Sequence, residues 1–356
     1  MKITAIRSSI QQLALSKPYT IAYDTYSGVE LVFLEIELAN GIVGIGSASP
    51  AEEVVAENAR QTYAHVQSEF VQGLVGRDIR HFRQIIAELR LRFPGLPGTQ
   101  AALDLALHDA FGQYLGLPVA AFYGQAIPAL PTSVTVGIKN TADTLEEAAE
   151  YARLGFTCLK LKTGSELETD IEKVLKIREK YGQRLAIRVD ANQGYSLPEL
   201  RRFLAATENA GLELVEQPLP VGREPELLAL SAAWRQRLAA DESLTDLDAA
   251  FTLCVPPQPF GIFNIKLMKC GGIAAALEIG TLAKAAHIDL FWGCNDESVA
   301  SIAAALHAAY ACPNTRYLDL DGSFDLLEDL VSGGFVLENG MLRLTGAPGL
   351  GLRRPE

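Results

Sequence analysis

Two hydrophobic rhythms divide the chain. Residues Ile3–Leu13 and Val29–Leu38 alternate in the manner of strands, with a loop expected over Ser16–Ser27 and a glycine-rich return strand over Gly41–Ala48. Three helical stretches follow, at about Glu52–Leu74, Ile79–Leu91 and Thr99–Tyr114. The last of these, AALDLALHDAFGQYLG, carries apolar residues at helical spacing and stops at Gly116, a residue suited to a left-handed C-cap. Residues 1–125 are therefore expected to form an α+β unit.

After the turn-rich GQAIPALP the rhythm becomes strict strand–helix alternation. Strands are predicted at Ser133–Ile138, Cys158–Lys162, Leu185–Asp190, Leu212–Glu216, Leu238–Asp241, Ile262–Leu267, Leu290–Gly293 and Arg316–Asp319. Helical stretches such as Thr141–Leu154 and Glu166–Tyr181 lie between them. Eight strands joined by seven helices predict an α/β fold over residues 126–330, a modified TIM-like (β/α)8 barrel in (β/α)7β order. The segment 331–356 holds two short strand-like runs around an Asn-Gly turn and is expected to return to the first unit as part of the cap.

Composition narrows this picture. A barrel of about 250 residues plus a smaller domain fits 356 residues. The formal charge of −12 argues against nucleic acid and against anionic membrane surfaces. Five scattered cysteines with no CxxC pair give little support to zinc or disulfide chemistry. No signal peptide is read in the first residues, and the longest small-apolar run, Ile302–Cys312, is too short to span a bilayer. A cytoplasmic protein is expected, with its oligomeric state open.

The chemistry is carried by where the charges fall. Six predicted strands end in an acid or a lysine set in apolar sequence: Lys162, Asp190, Glu216, Asp241, Lys266 and Asp319. In such a barrel these strand ends converge on one mouth, and buried charges there need partners or a metal. Asp190, Glu216 and Asp241 close the third, fourth and fifth strands. Three neighbouring carboxylates repel one another, and an oxygen-only set suits Mg2+ better than zinc. A single acid at such a position serves equally well as a helix cap or an ion-pair partner. Three in register favour the metal.

Lys160 and Lys162 stand two apart on one strand and share a face. Lys266 closes the sixth strand, which lies opposite the second in an eight-stranded barrel. Lysines on opposite rims can remove a proton from one face of a carbon and deliver one to the other. Neighbouring cations are expected to lower a lysine's pKa toward the working pH. A divalent cation stabilises the enediolate formed when the proton next to a carboxylate leaves, a pairing known from enolase-type sites.

With these residues assembled, the motifs KLKTG, RVDANQGY, VEQP, ADES, NIKLMKCGGI, GCNDES and LDLDG resemble, in order, those of the dipeptide epimerases of the enolase superfamily. The resemblance covers essentially the whole chain. It implies that Lys162 and Lys266 are the acid/base pair, that Asp190, Glu216 and Asp241 bind one Mg2+, that Lys160 contacts the substrate carboxylate, and that Thr135 contacts substrate. It also implies a dipeptide substrate whose α-ammonium is met by Asp319 and Asp321. These two acids are expected to face the same way, opposite the metal. Capping by one Asp before Gly322 is the plainer account of that pair.

By the same analogy two loops select side chains. One, in the cap, carries Asp24 with Tyr23 and Tyr26. The other, after the seventh strand, carries Cys294, Asn295, Asp296 and Glu297. An acid at Asp24 disfavours an acidic side chain and favours cationic or neutral ones, drawn also to Asp296 or to Glu52 and Glu53. A solvated acidic surface would look the same in sequence. Two other readings stay open: a cycloisomerase or o-succinylbenzoate synthase of the same superfamily, and a non-catalytic metal-dependent binding protein. His108 and His307, on apolar helices, read as core groups.

Overall fold

The structure, a computed structural model, describes residues 1–20 and 25–354, with side chains described outside 17–27. Its N-terminal layer is an antiparallel sheet of Ile3–Thr20, Thr25–Leu38 and Val43–Ala48, in that order. The predicted loop over Ser16–Ser27 is a correction. Strand pairing runs on past Leu13 to Tyr19 opposite Tyr26 and Thr20 opposite Thr25, after a register shift beyond Ala14. Apolar alternation fades there, but the hairpin continues on backbone hydrogen bonds, which need no apolar side chains. Asp24 and Tyr23 lie outside the described residues, as does the Tyr26 side chain.

The middle strand is buried on both faces. Val32, Leu34, Ile36 and Leu38 point into the main core with the cap helices, while Leu31 and Phe33 pack with Ile45, Ala300 and Val331. One sheet thus lies between its own helices and the barrel, and that is why residues 31–34 read as a continuous apolar run.

The predicted helix over Glu52–Leu74 is three short ones: Glu52–Val55, Ala59–Val66 and Glu69–Gln72. Ala56 takes a left-handed conformation, and Asn58 starts a new helix with a capping box to Gln61. Ser68 begins the third. The long helix Pro97–Leu115 is buried almost all round. It lies against the strand Val43–Ala48, where a Cβ on Gly46 would come 2.1 Å from the Ala102 carbonyl and one on Gly44 would come 2.3 Å from that of Ala106. Gly46→Ala is therefore expected to destabilise the protein by about 2 kcal/mol or more. Thermal and denaturant unfolding would measure this. An unchanged melting temperature would mean that helix and strand are not so close.

The barrel strands are Val134–Val136, Cys158–Lys162, Ala186–Asp190, Leu214–Glu216, Leu238–Ala240, Ile262–Ile265, Asp289–Trp292 and Thr315–Leu318, all parallel and in sequential order. The sheet closes where Thr132 bridges Leu318 and the Ser133 amide donates to the Leu318 carbonyl (2.9 Å). Inside, Leu214, Ala239, Ile262 and Phe291 form a small separate core. Buried Arg188 lies over Phe291 and Tyr317 and pairs with Glu213. This layer is the floor of the mouth above it.

The C-terminal hairpin, Phe335–Glu338 with Met341–Leu344, turns at Asn339 and Gly340, both with positive φ. It pairs with Leu130–Pro131 just before the first barrel strand, and farther on the Leu350 amide donates to Asp109 of the long cap helix (2.7 Å). Among the described residues no helix is long and apolar enough to cross a membrane.

Candidate active site

Parallel pairing sets the rim. Lys162 lies opposite Asp190 in the register, and Asp190 opposite Glu216. Asp241 directly follows the fifth strand and Lys266 the sixth. The alternation of the second strand buries Leu161 in the outer core and turns Lys160 and Lys162 inward. Both lysines join Lys266, Asp241, Asp319, Asp321 and Thr135 around one cavity of about 870 Å3, which is closed on the cap side by residues including Ser49, Glu52 and Glu53.

The lysines stand among the acids. Lys162 Nζ donates to Asp190 Oδ2 (2.7 Å) and Asn192 Oδ1 (3.0 Å). Lys266 Nζ donates to Asp241 Oδ2 (2.9 Å), and the other oxygen of Asp241 accepts from buried Lys269. Lys160 Nζ reaches Asp319 at 2.5 Å, Glu216 at 3.2 Å and Asp190 at 3.3 Å. Asn264 Nδ2 donates to Glu216 Oε1 (2.5 Å). Glu216 Oε2 is buried and has charge nearby in Lys160, but no hydrogen bond is directed at it.

These contacts divide the carboxylates. Burial alone would raise Asp190 and Asp241, but Lys162 with Lys160, and Lys266 with Lys269, overcome it and hold both below the usual range. Glu216 goes the other way: burial, then the charge of Asp190, push it up to about 8. The acids around Lys266 act in the opposite sense to the lowering expected from cations. Burial opposes its charge, yet Asp241 and Glu216 raise it above the ordinary lysine value. A divalent cation held by Asp241 and Glu216 would act the other way, toward the expected lowering.

Asp190, Glu216 and Asp241 present only oxygen, from adjacent strands, and one of those oxygens is buried and unbonded. That donor set fits a hard divalent cation. Among the described residues no three acids, histidines or cysteines are drawn together at ligating distance, because lysines stand between them.

Asp319 and Asp321 both line the cavity, with different partners. Both follow the eighth strand, and Asp319 accepts from Ser133 Oγ (2.5 Å) and from Lys160, the lysine that also reaches Glu216 and Asp190. Asp321 Oδ2 accepts from the Thr135 amide (2.7 Å), and burial with Asp319 raises its carboxyl to about 7. Cys294 Sγ lies between the Asp319 carbonyl and the Gly322 amide. Asn295 Nδ2 donates to the Ser49 carbonyl (2.9 Å), tying this loop to the cap, and Asp296 lines the cavity.

Asn192, Asn264, Lys269 and Glu242 were not picked out in the sequence. Two had a readable signal: Asn264 stands two before Lys266, as Lys160 stands two before Lys162, and Lys269 is one helical turn beyond Lys266. His108 and His307 are buried away from the cavity, bonded to the Asp104 carbonyl and Tyr123 and to the Ala120 amide respectively.

Two family descriptions match the chain: "Mandelate racemase / muconate lactonizing enzyme, N-terminal domain" over residues 3–124 and "Enolase C-terminal domain-like" over residues 143–355. An L-Lys-D/L-Arg epimerase of Methylococcus capsulatus is 48% identical over the full length of both chains. A hydrophobic dipeptide epimerase of Enterococcus faecalis is 33% identical over 99% of each. A crystal structure of dipeptide epimerase from Methylococcus capsulatus with Mg and L-Arg-D-Lys superimposes with a TM-score of 0.97 at 48% identity, covering 99% of both chains. With two-part family matches, full-length relatives and a rim of lysines and carboxylates on one barrel, the chain belongs to the enolase superfamily, in the mandelate racemase/muconate lactonizing enzyme group that holds the dipeptide epimerases.

Proposed function

We propose that this protein is a Mg2+-dependent dipeptide epimerase that inverts the α-carbon of the C-terminal residue of a dipeptide. The observation that carries this reading is one cavity lined by Lys162, Lys266 and Asp241, with the two lysines on opposite barrel strands and Asp190 and Glu216 closing strands on the arc between them. One lysine Nζ takes the α-proton, the C–H electron pair passes into the enediolate, and an N–H of the opposite lysine supplies the new C–H bond. Lys266 is the donor when Lys162 is the base, and the roles exchange in the reverse direction. Bound Mg2+, held by Asp190, Glu216 and Asp241, would supply positive charge as the second negative charge builds on the substrate carboxylate. Lys160, buried at the centre of the acids, is placed to meet that carboxylate. The three-part division of the chain, at 125 and 330, and a cytoplasmic setting belong to this proposal. The five unpaired thiols support the latter.

Both oxygens of Asp319 have partners, which leaves Asp321 as the anion for the dipeptide's α-ammonium. Asp321→Asn is expected to raise KM about 10- to 100-fold, the equivalent of a charge-assisted hydrogen bond of about 1.5–3 kcal/mol, with a smaller change in kcat. Steady-state kinetics would measure it, and an unchanged KM would free Asp321 from this role.

The preferred side chains are cationic. The acids of the cavity wall, Glu30, Glu52, Glu53, Asp296 and Asp325, support this, as does the 48% identity to a relative named for lysine and arginine. The test is a panel of L,L-dipeptides with acidic, apolar and basic side chains, incubated with Mg2+ in D2O while NMR follows the Cα proton. Exchange with lysine- and arginine-containing dipeptides, with a diastereomer appearing, is the expected result. In Asp296→Asn the preference for lysine over alanine should fall. Exchange with no dipeptide would overturn the assignment in favour of a cycloisomerase or a binding role.

A further inference from the structure

Directly behind Lys266 lies a lysine that the two-base chemistry does not use. Lys269, on the single helical turn Leu267–Cys270, is 5% exposed. Its one ammonium donates to three acceptors: a side-chain oxygen of Asp241, the Asp241 carbonyl (2.6 Å) and the Asn264 carbonyl (3.1 Å). An ammonium has three donors, so this set is complete. The arrangement fixes both the carboxylate and the backbone of Asp241, leaving Oδ2 directed at Lys266. Asn264 extends the same network to Glu216. On the far rim Lys162 has different partners, Asp190 and Asn192, and meets this network only at a distance, through Asp190, Lys160 and Glu216.

We propose that Lys269 is a positioning residue for Lys266, acting through Asp241. By taking one oxygen of Asp241, it limits Lys266 to a single-oxygen contact and keeps its ammonium extended toward the cavity. Without Lys269 the Asp241 oxygen that it holds is released, and Lys266 is drawn toward it and away from the substrate. The inference rests on the two-lysine reading above and adds to it an asymmetry: one face of the reaction depends on a third lysine and the other does not.

The test compares exchange at the two faces. The diastereomer whose α-proton meets Lys266 is the one whose exchange Lys266→Ala abolishes. In Lys269→Met, and in Lys269→Gln, exchange at that face should fall at least tenfold relative to exchange at the Lys162 face. In Lys269→Arg the ratio should fall about three- to tenfold, because a planar fork cannot meet three acceptors arranged for one ammonium. A second readout needs no turnover: reductive methylation mapped by mass spectrometry, for which Lys162 and Lys266 begin with side chains 12% and 13% exposed. In Lys269→Met, labelling of Lys266 should slow relative to Lys162.

Loss at both faces in proportion, or an unchanged ratio, would overturn the proposal and leave Lys269 a support of the fold. If neither neutral variant folds, the ratio in Lys269→Arg decides. Wild-type protein without exchange at either face would overturn the epimerase reading instead, so the two failures are distinct.

Discussion

Replacing Lys266 with alanine will stop epimerisation in both directions, by about 10^3-fold, and yet leave α-proton exchange intact for the diastereomer that faces Lys162. Lys162→Ala will give the mirror result. Inversion needs a base on one side of the carbon and an acid on the other, whereas exchange needs one base and solvent deuterons. Neither variant should damage the fold. Without Lys266, Asp241 still has Lys269, and without Lys162, Asp190 keeps Lys160 at 3.3 Å and the Asn192 amide at 3.0 Å. No buried carboxylate is left alone, which is what usually makes removal of one ionic partner so costly. Mixing L,L and L,D substrates in D2O and reading the Cα proton separates exchange from inversion. Full epimerisation by both variants would end the two-base mechanism.

The second large effect concerns the metal site. EDTA should abolish exchange at both faces, and Mg2+ should restore it. Glu216→Gln should reproduce the loss permanently while the protein stays folded. Its carboxylate is the one acid of the three whose charge the surroundings disfavour, through burial and Asp190. An amide of the same shape removes that conflict, and Asn264 beside it has an oxygen, Oδ1, with no partner to accept from. In wild-type protein Mg2+ at about 100 times its Kd should stabilise the fold by roughly 2.7 kcal/mol. That appears as a rise in melting temperature of several degrees. The variant should start from a similar melting temperature and show no rise. A variant that still gains stability from Mg2+ would take Glu216 out of the metal site.

The barrel was legible in the sequence because its signals are local. Each strand is a short, mostly apolar run, six of the eight end in a charged residue, and observed boundaries fall within about two residues of those expected. Placement at the rim follows from period and order alone, as with Lys160, Leu161 and Lys162. What could not be read depends on partners distant along the chain. Nothing in the local sequence separates Asp319, held by Ser133 and Lys160, from Asp321, held by the Thr135 amide. Lys269 looks like a surface lysine on a helical turn until Asp241 arrives from another strand. The helix breaks at Ala56 and Asn58 are local, but Ala56 carries no hint of its left-handed backbone, which L-residues other than glycine rarely adopt. The sign of the Lys266 shift depends on an ångström-scale contact, which no spacing rule can supply.

One feature of the cap bears on how such a protein can change. Asp104, on the long helix Pro97–Leu115, receives the amides of Ile273 (2.7 Å) and Ala274 (3.3 Å) at the start of the helix that follows Lys266. The cap therefore completes a barrel helix, and a barrel cut free of it would expose two amides with no acceptor. The cap hairpin meets the loop after the eighth barrel strand through backbone bonds, the Ser16 amide to the Asp325 carbonyl (2.7 Å) and the Leu327 amide to the Ala14 carbonyl (3.0 Å), which do not depend on side-chain identity. Evolution, or an engineer, can rewrite the hairpin's side chains and keep those backbone bonds, while the Asp104 side holds the barrel helix in register. Grafts taken from relatives should succeed when they exchange the hairpin alone and fail when the seam crosses Asp104.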